Sequence, residues 1–119
     1  MENVYDLGLI FYSEEPRKVA DFYQDLLGVE LATVSHGPTG PHIEGKLGRS
    51  HMAVLDSTSH FPAGTLVPVF RAKDLEKTEA RLQTQGIQRI HKAIDIGGGK
   101  RVISFMDSDL RPFRLIGIG

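Results

Sequence analysis

Five histidines, His36, His42, His51, His60 and His91, are the first candidates for chemistry in this chain. Several imidazoles converging on one point can hold a transition metal. Successive gaps of 6, 9, 9 and 31 residues leave no HxH or HxxxH pair to do so locally. His36 and His60 fall in turn-rich stretches and read as solvated surface. His42 and His51 fall on two strands of a hairpin around Gly48-Arg49. They are placed to meet across it, either at a pocket or as hydrogen-bonded structural histidines. Gly97-Gly98-Gly99-Lys100 has the flavour of a phosphate loop, but that motif needs G-x-x-x-x-G-K-[ST] between a strand and a helix. Here Arg101 and an apolar strand follow, so a hairpin turn is expected. Asp107 and Asp109 form a carboxylate pair beside Pro112, and aspartates in such a setting cap their own backbone. Cysteine is absent, which removes thiolate nucleophiles, disulfides and Cys-type zinc sites together. No serine, histidine and acid spacing marks a nucleophile.

The elements that must position these groups follow from hydrophobic pattern. Val4 to Tyr12 is rich in β-branched, aromatic and aliphatic residues and reads as a strand. Within it Tyr12 shares a face with Gly8 and Ile10. Pro16 suits the first turn of a helix whose apolar positions are Val19, Ala20, Phe22, Tyr23, Leu26 and Leu27, closed by Gly28. Val29 to Val34, His42 to Leu47 and His51 to Leu55 read as strands, with a loop over Ser35 to Pro41. Asp56 to Gly64 is a linker. The pattern then restarts. Thr65 to Arg71 is a strand with Pro68 at an edge or bulge. Asp74 caps a helix carrying Leu75, Thr78, Ala80 and Leu82 that ends at Gly86. Strands follow over Ile87 to Ile96, Arg101 to Met106 and Phe113 to Ile118. Phe11, Phe22, Tyr23, Phe70 and Phe105 are expected in the core.

The order is β-α-β-β-β, a linker, and β-α-β-β-β again, which is an internal repeat of two units. We expect an α+β fold and a single domain over residues 1–119, with one module over about 1–56 and a second over about 65–119. The composition is 40% hydrophobic and 24% charged, and the net charge is −1. That balance gives no general attraction to nucleic acid or to anionic lipid. No run of about 18 apolar residues would span a bilayer. The first residues lack the basic and apolar stretches of a secretory signal, and a cytoplasmic location is expected.

Two segments carry a family resemblance. Glu15 to Leu31 (EPRKVADFYQDLLGVEL) resembles the first helix and second strand of the vicinal-oxygen-chelate superfamily, which includes glyoxalase I, extradiol dioxygenases, fosfomycin-resistance transferases and bleomycin-binding proteins. Phe105 to Gly117 (FMDSDLRPFRLIG) resembles its closing segment, F-x-D-P-D-G-N-P-hydrophobic-E-L. Phe70 to Gly86 resembles its second helix unit. The resemblance implies the glyoxalase/bleomycin-resistance fold, two βαβββ modules forming a curved mixed sheet, and a homodimer.

It also implies where a metal would sit in the active members, and this chain departs there. The histidine of the first strand falls at Gly8, and that of the second module's first strand at Val67. The glutamate of the last strand becomes Arg114. A further glutamate falls near Ala53 or its same-face neighbour His51. Gly8 and Val67 offer no lone pair, and a guanidinium repels a cation. Two like charges about 4 Å apart cost roughly 4 kcal/mol at intermediate dielectric. No metal and no cofactor are expected.

The expectation is therefore a metal-independent small-molecule-binding protein that sequesters a drug or metabolite. Its ligand-binding residues would be Arg114, Tyr12, His51, Val67 and Gly8, with no catalytic residue. Arginine suits an anionic or aromatic ligand, held in bidentate fashion. The alternatives are a glyoxalase I-like lyase or dioxygenase-related enzyme with relocated metal ligands, and a pure interaction module.

Overall fold

A computed structural model describes residues 4–35 and 41–118, without the side chains of Tyr5 and Leu47. The elements are β1 (Val4–Ser13), α1 (Pro16–Leu27), β2 (Ala32–Ser35), β3 (Pro41–Leu47), β4 (Ser50–Asp56), β5 (Leu66–Ala72), α2 (Leu75–Thr84), β6 (Ile94–Gly97), β7 (Lys100–Met106) and β8 (Pro112–Ile118). This is the expected βαβββ order, twice. The expected loop position His36 lies outside the described residues.

The chain divides into two compact units. One runs from Gly8 to Leu66, and the other takes the chain up to Leu7 and from Val67 onward. Each unit holds a mixed sheet. In the first, β1 pairs with β4 in parallel, and β4–β3 and β3–β2 are antiparallel. In the second, β5 pairs with β8 in parallel, and β8–β7 and β7–β6 are antiparallel. Pairing of β5 with β8 begins at Val69, so the missing N–H of Pro68 removes no rung on that side.

One helix covers one face of each sheet. Strand alternation sends Phe11, Ile43, Met52 and Val54 toward α1, where they pack with Ala20, Val29 and Leu31. The same alternation sends Phe70, Ile103, Phe105 and Leu115 toward α2, where Leu75 is fully buried among them. The helix starts differ. Asp74 Oδ1 accepts from the Lys77 N–H at 3.0 Å and caps α2. Glu15 precedes α1 without a side-chain cap, and Pro16 supplies the preset first turn. Gly28 ends α1 in the left-handed region at φ 71°.

Three expectations need correction. The strand expected over Val29 to Val34 begins only at Ala32. Val29 and Leu31 are buried, but the backbone at Glu30 passes directly over Gly45, too close for a paired rung there. The strand expected over Ile87 to Ile96 shrinks to β6. Before it, the chain makes two backbone bonds to β7, Ile90 N–H to Ser104 O (2.8 Å) and Met106 N–H to Gln88 O (2.9 Å), while Ile87 and Ala93 turn into the core. The ladder there is reduced to a single antiparallel bridge, Arg89 to Phe105, flanked by residues that pack into the core. Phe22 is not core. It is 57% exposed on α1, one turn from Leu26, and its edge meets the ring of Tyr23.

Candidate functional site

Every expected site residue lies on the sheet faces turned away from the helices. In the first unit these positions are Gly8, Ile10 and Tyr12 on β1, His51, Ala53 and Leu55 on β4, and His42, Glu44 and Lys46 on β3. Gly8 is buried against His51. A Cβ added there would stand 3.1 Å from the His51 carbonyl oxygen and 3.5 Å from its Cβ. Tyr12 is buried with its ring stacked on Phe61, centroids 4.8 Å apart. The linker holds that stacked pair in place through Tyr12 N–H to Thr65 O and Gly64 N–H to Tyr12 O, both 3.0 Å. Phe11, Tyr12, Tyr23, Thr65 and Leu66 border a cavity of about 390 Å³.

The two hairpin histidines do not meet. The turn falls at Gly48-Arg49 as expected, but the register pairs His51 with Lys46. His42 is four residues further along β3, about 13 Å at the rise of a strand. One partner is on its own strand: His42 Nε2 lies 3.3 Å from Glu44 Oε2, with the imidazole buried and the carboxylate about one-third exposed. Among the described residues, no group of three or more histidines and acids stands close enough to hold a metal ion.

In the second unit the corresponding face carries Val67, Val69 and Arg71 on β5, Arg114 and Ile116 on β8, and Val102, Ser104 and Met106 on β7. Val67 is fully buried. Arg114 is half-buried, and its Nε–H donates to Ser104 Oγ at 3.2 Å across the Ser104–Arg114 rung. Ser104 is completely buried, so this bond fixes the guanidinium plane. Two residues along β5 from the Arg114 rung stands Arg71, 3.7 Å from Asp6. The residues at Gly8, Val67 and Arg114 do not fit a divalent ion: none offers a donor atom, and the last brings a positive charge.

Sequence reasoning missed Ser104 and the His42–Glu44 pair. Ser104 is a lone hydroxyl in an apolar strand, and once the β7–β8 turn is fixed it must face Arg114. That turn is the expected one. Asp107 Oδ1 accepts from the N–H groups of Asp109 (2.8 Å) and Arg111 (2.9 Å), and Oδ2 from Arg111 Nε at 3.0 Å. These bonds, the Arg111 N–H first, hold the Asp107 carboxyl below its ordinary value of 3.8, outweighing partial desolvation. Gly98 and Gly99 turn the chain between β6 and β7, again as a hairpin.

No protein-family model matches the chain, and no curated protein does. Solved structures do. A hypothetical protein from Bacillus halodurans is similar at a TM-score of 0.75 and 14% identity, over 100% of this chain and 96% of that one. A Streptomyces coelicolor methylmalonyl-CoA epimerase in complex with 2-nitronate-propionyl-CoA is similar at 0.74 and 13%, over 99% and 96%. A structure described as an NAD-dependent benzaldehyde dehydrogenase from Legionella pneumophila is similar at 0.67 and 14%, over 95% and 99%. Such identities speak for fold and not for activity. The chain has the vicinal-oxygen-chelate (glyoxalase/bleomycin-resistance) fold, with two βαβββ modules.

Proposed function

We propose that this protein binds a small anionic molecule and does so without the metal ion used by the fold's enzymes. The observation that carries the reading is Arg114, oriented by a fully buried Ser104 at 3.2 Å, where the resemblance places a metal-binding glutamate. A guanidinium has five N–H donors in a planar fork. With Nε anchored on Ser104, the plane of that fork is set in advance, and less entropy is lost when a carboxylate binds. The neighbouring side chains Val69, Ile116 and Val102 supply apolar area for the rest of the molecule. Sequestration of a metabolite or drug by a cytoplasmic homodimer completes the reading. Phe22 and Leu26, 57% and 66% exposed on α1, give a second copy apolar surface to cover.

The test is calorimetric titration with octanoate and benzoate on untagged protein. Binding is expected, and Arg114→Gln should weaken it about tenfold to a hundredfold, the worth of a charge-assisted hydrogen bond. Failure of both acids to bind below millimolar overturns the proposal.

A second reading, an enzyme with relocated metal ligands, draws on the His42–Glu44 pair, two donor groups 3.3 Å apart, the imidazole buried and the carboxylate part-exposed. Stoichiometric nickel, zinc, iron or manganese in the purified protein, lost in His42→Ala or His51→Ala, would establish it and displace the binding reading.

A further inference from the structure

The carboxyl ends of β5 and β8 hold a cavity of about 240 Å³ that Arg114 does not border. Three cations line it, Arg71, Lys73 and Lys100, over a floor that includes Ala72, Ile116 and Ile118. Asp6, 3.7 Å from Arg71, is the acid beside it. The described lining residues include no acidic side chain, so the lining itself is cationic, offset in part by Asp6 beside Arg71.

The strand register sets how this cavity stands to Arg114. Val69 pairs with Arg114 and Arg71 with Ile116, so Arg71 lies two residues further along, about 7 Å. Lys100 pairs with Ile118, four residues beyond Arg114 on β8, about 13 Å. Arg71, Arg114 and Lys100 share the sheet face turned away from α2, by strand alternation. Between the cations that face presents Val69, Ile116 and Val102, with Val102 paired to Ile116. The face therefore runs from one fixed cation, across an apolar strip, to a cluster of cations at the strand ends.

We propose that this cavity is the distal half of the ligand site and that the natural ligand is a dianion. Its first acidic group sits on Arg114, its apolar middle on Val69, Val102 and Ile116, and its second acidic group between Arg71, Lys73 and Lys100. The two acidic groups would stand about 7 to 13 Å apart by strand geometry. The proposal rests on the reading of Arg114 given above. It adds a ligand class, an elongated diacid, that Arg114 alone does not specify. A monoacid would leave the cationic cluster unused, and an inorganic anion would leave the apolar strip uncovered.

The experiment is calorimetric titration of the full chain with the α,ω-dicarboxylates from succinate to sebacate, each beside the monocarboxylate of equal length. Affinity for the diacids should pass through a maximum at intermediate length. There it should exceed that of the matching monoacid by about fivefold to tenfold, the range of partly exposed ion pairs. The double variant Lys73→Ala/Lys100→Ala should remove that advantage while leaving monoacid affinity unchanged. Both lysines are exposed, so the fold survives, and an unchanged melting temperature verifies it. Equal binding of diacids and monoacids at every length overturns the proposal and leaves the Arg114 reading standing. So does an equal loss for both classes in the double variant. Binding of neither class overturns both readings together.

Discussion

The two modules share an element order but not a chemistry. The open sheet face of the first carries His42, Glu44, Lys46 and His51, a mixture of acid, base and imidazole in which His42 is already engaged by Glu44 at 3.3 Å. The open face of the second carries Arg71, Arg114 and Lys100 among valines and isoleucines, with a buried serine orienting the central arginine. A repeat constrains what must pack, which is the face toward the helix. It leaves the other face free to diverge. The first module's face sets an acid, Glu44, against His42, whereas on the second a neutral serine orients Arg114, which suits an anionic ligand from outside. The Arg114→Gln titration is the functional edge of this contrast. Anion affinity should fall there and stay unchanged in Glu44→Gln, and a reversed result would move the site to the first module.

The largest stability effect expected is at two glycines where backbone approaches backbone. In the first module a Cβ on Gly45 would collide with the Glu30 carbonyl oxygen, and Leu31 Cδ2 lies 3.1 Å away. In the second, a Cβ on Gly117 would stand 2.5 Å from the Ala72 carbonyl oxygen and 3.2 Å from Leu75 Cβ. Neither carbonyl belongs to a flexible side chain, so the backbone itself must move. Overpacking costs about 1 to 3 kcal/mol. Gly45→Ala should sit at or above the top of that range and Gly117→Ala within it, measured by chemical denaturation. Equal, small losses would mean that both crossings relax freely.

Helix starts sharpen the comparison at a smaller scale. Asp74→Ala removes the Oδ1 acceptor of the Lys77 N–H and should cost about 1 kcal/mol. Glu15→Ala removes no cap, only an exposed 3.8 Å pairing with Lys18, and should change stability by less than about 0.5 kcal/mol. A loss at Glu15 equal to that at Asp74 would show that α1 depends on a charge the geometry does not credit.

Much of this architecture was legible in the residues. Helical spacing from Val19 to Leu27 with Gly28 behind it, and Asp74 ahead of Leu75, fix the helices because caps and periodicity are local. The helix-to-strand segments were not legible. Val29 and Leu31 alternate like a strand, yet the Glu30 carbonyl between them packs onto Gly45, a contact distant in sequence, and pairing with β3 begins only at Ala32. Between Ile87 and Ala93 the two end residues serve the core, and the only ladder contact among the described residues is the bridge from Arg89 to Phe105. For the site, the absence of donor atoms at Gly8, Val67 and Arg114 was readable from residue type. The Ser104–Arg114 bond required the register of β7 against β8, and the separation of His42 from His51 required that of β3 against β4. Register is a tertiary quantity.

The hairpin turns give a controlled pair. Gly48 between β3 and β4 and Leu110 between β7 and β8 both have φ 63°. Glycine adopts the left-handed region freely, whereas a side chain there costs about 1 kcal/mol or somewhat more. Leu110 is 68% exposed and gains little from burial. Leu110→Gly should therefore raise stability by roughly 0.5 to 1 kcal/mol, the unfolded chain's extra freedom offsetting part of the relief. Gly48→Leu should lower it by a similar amount. The second module tolerates leucine in that slot because Asp107 pins the turn from the other side, and this leads to the smallest effect expected.

The Asp107 carboxyl is held below 3.8 by the N–H groups of Arg111 and Asp109 and by the Arg111 guanidinium. A depressed carboxylate stabilises the fold at pH values above its unfolded value. That stabilisation disappears as pH falls through the lower, folded value. Wild type should thus exceed Asp107→Asn in stability from neutral pH down to about pH 4, and the two should converge in more acid solution. The group is exposed, so the difference is small and is best read as a pH-dependent gap between paired denaturation curves. A gap that persists unchanged into acid would mean that the Asp107→Asn variant fails because an amide has the wrong hydrogen-bonding shape for the turn, and that the charge of the aspartate is irrelevant to it.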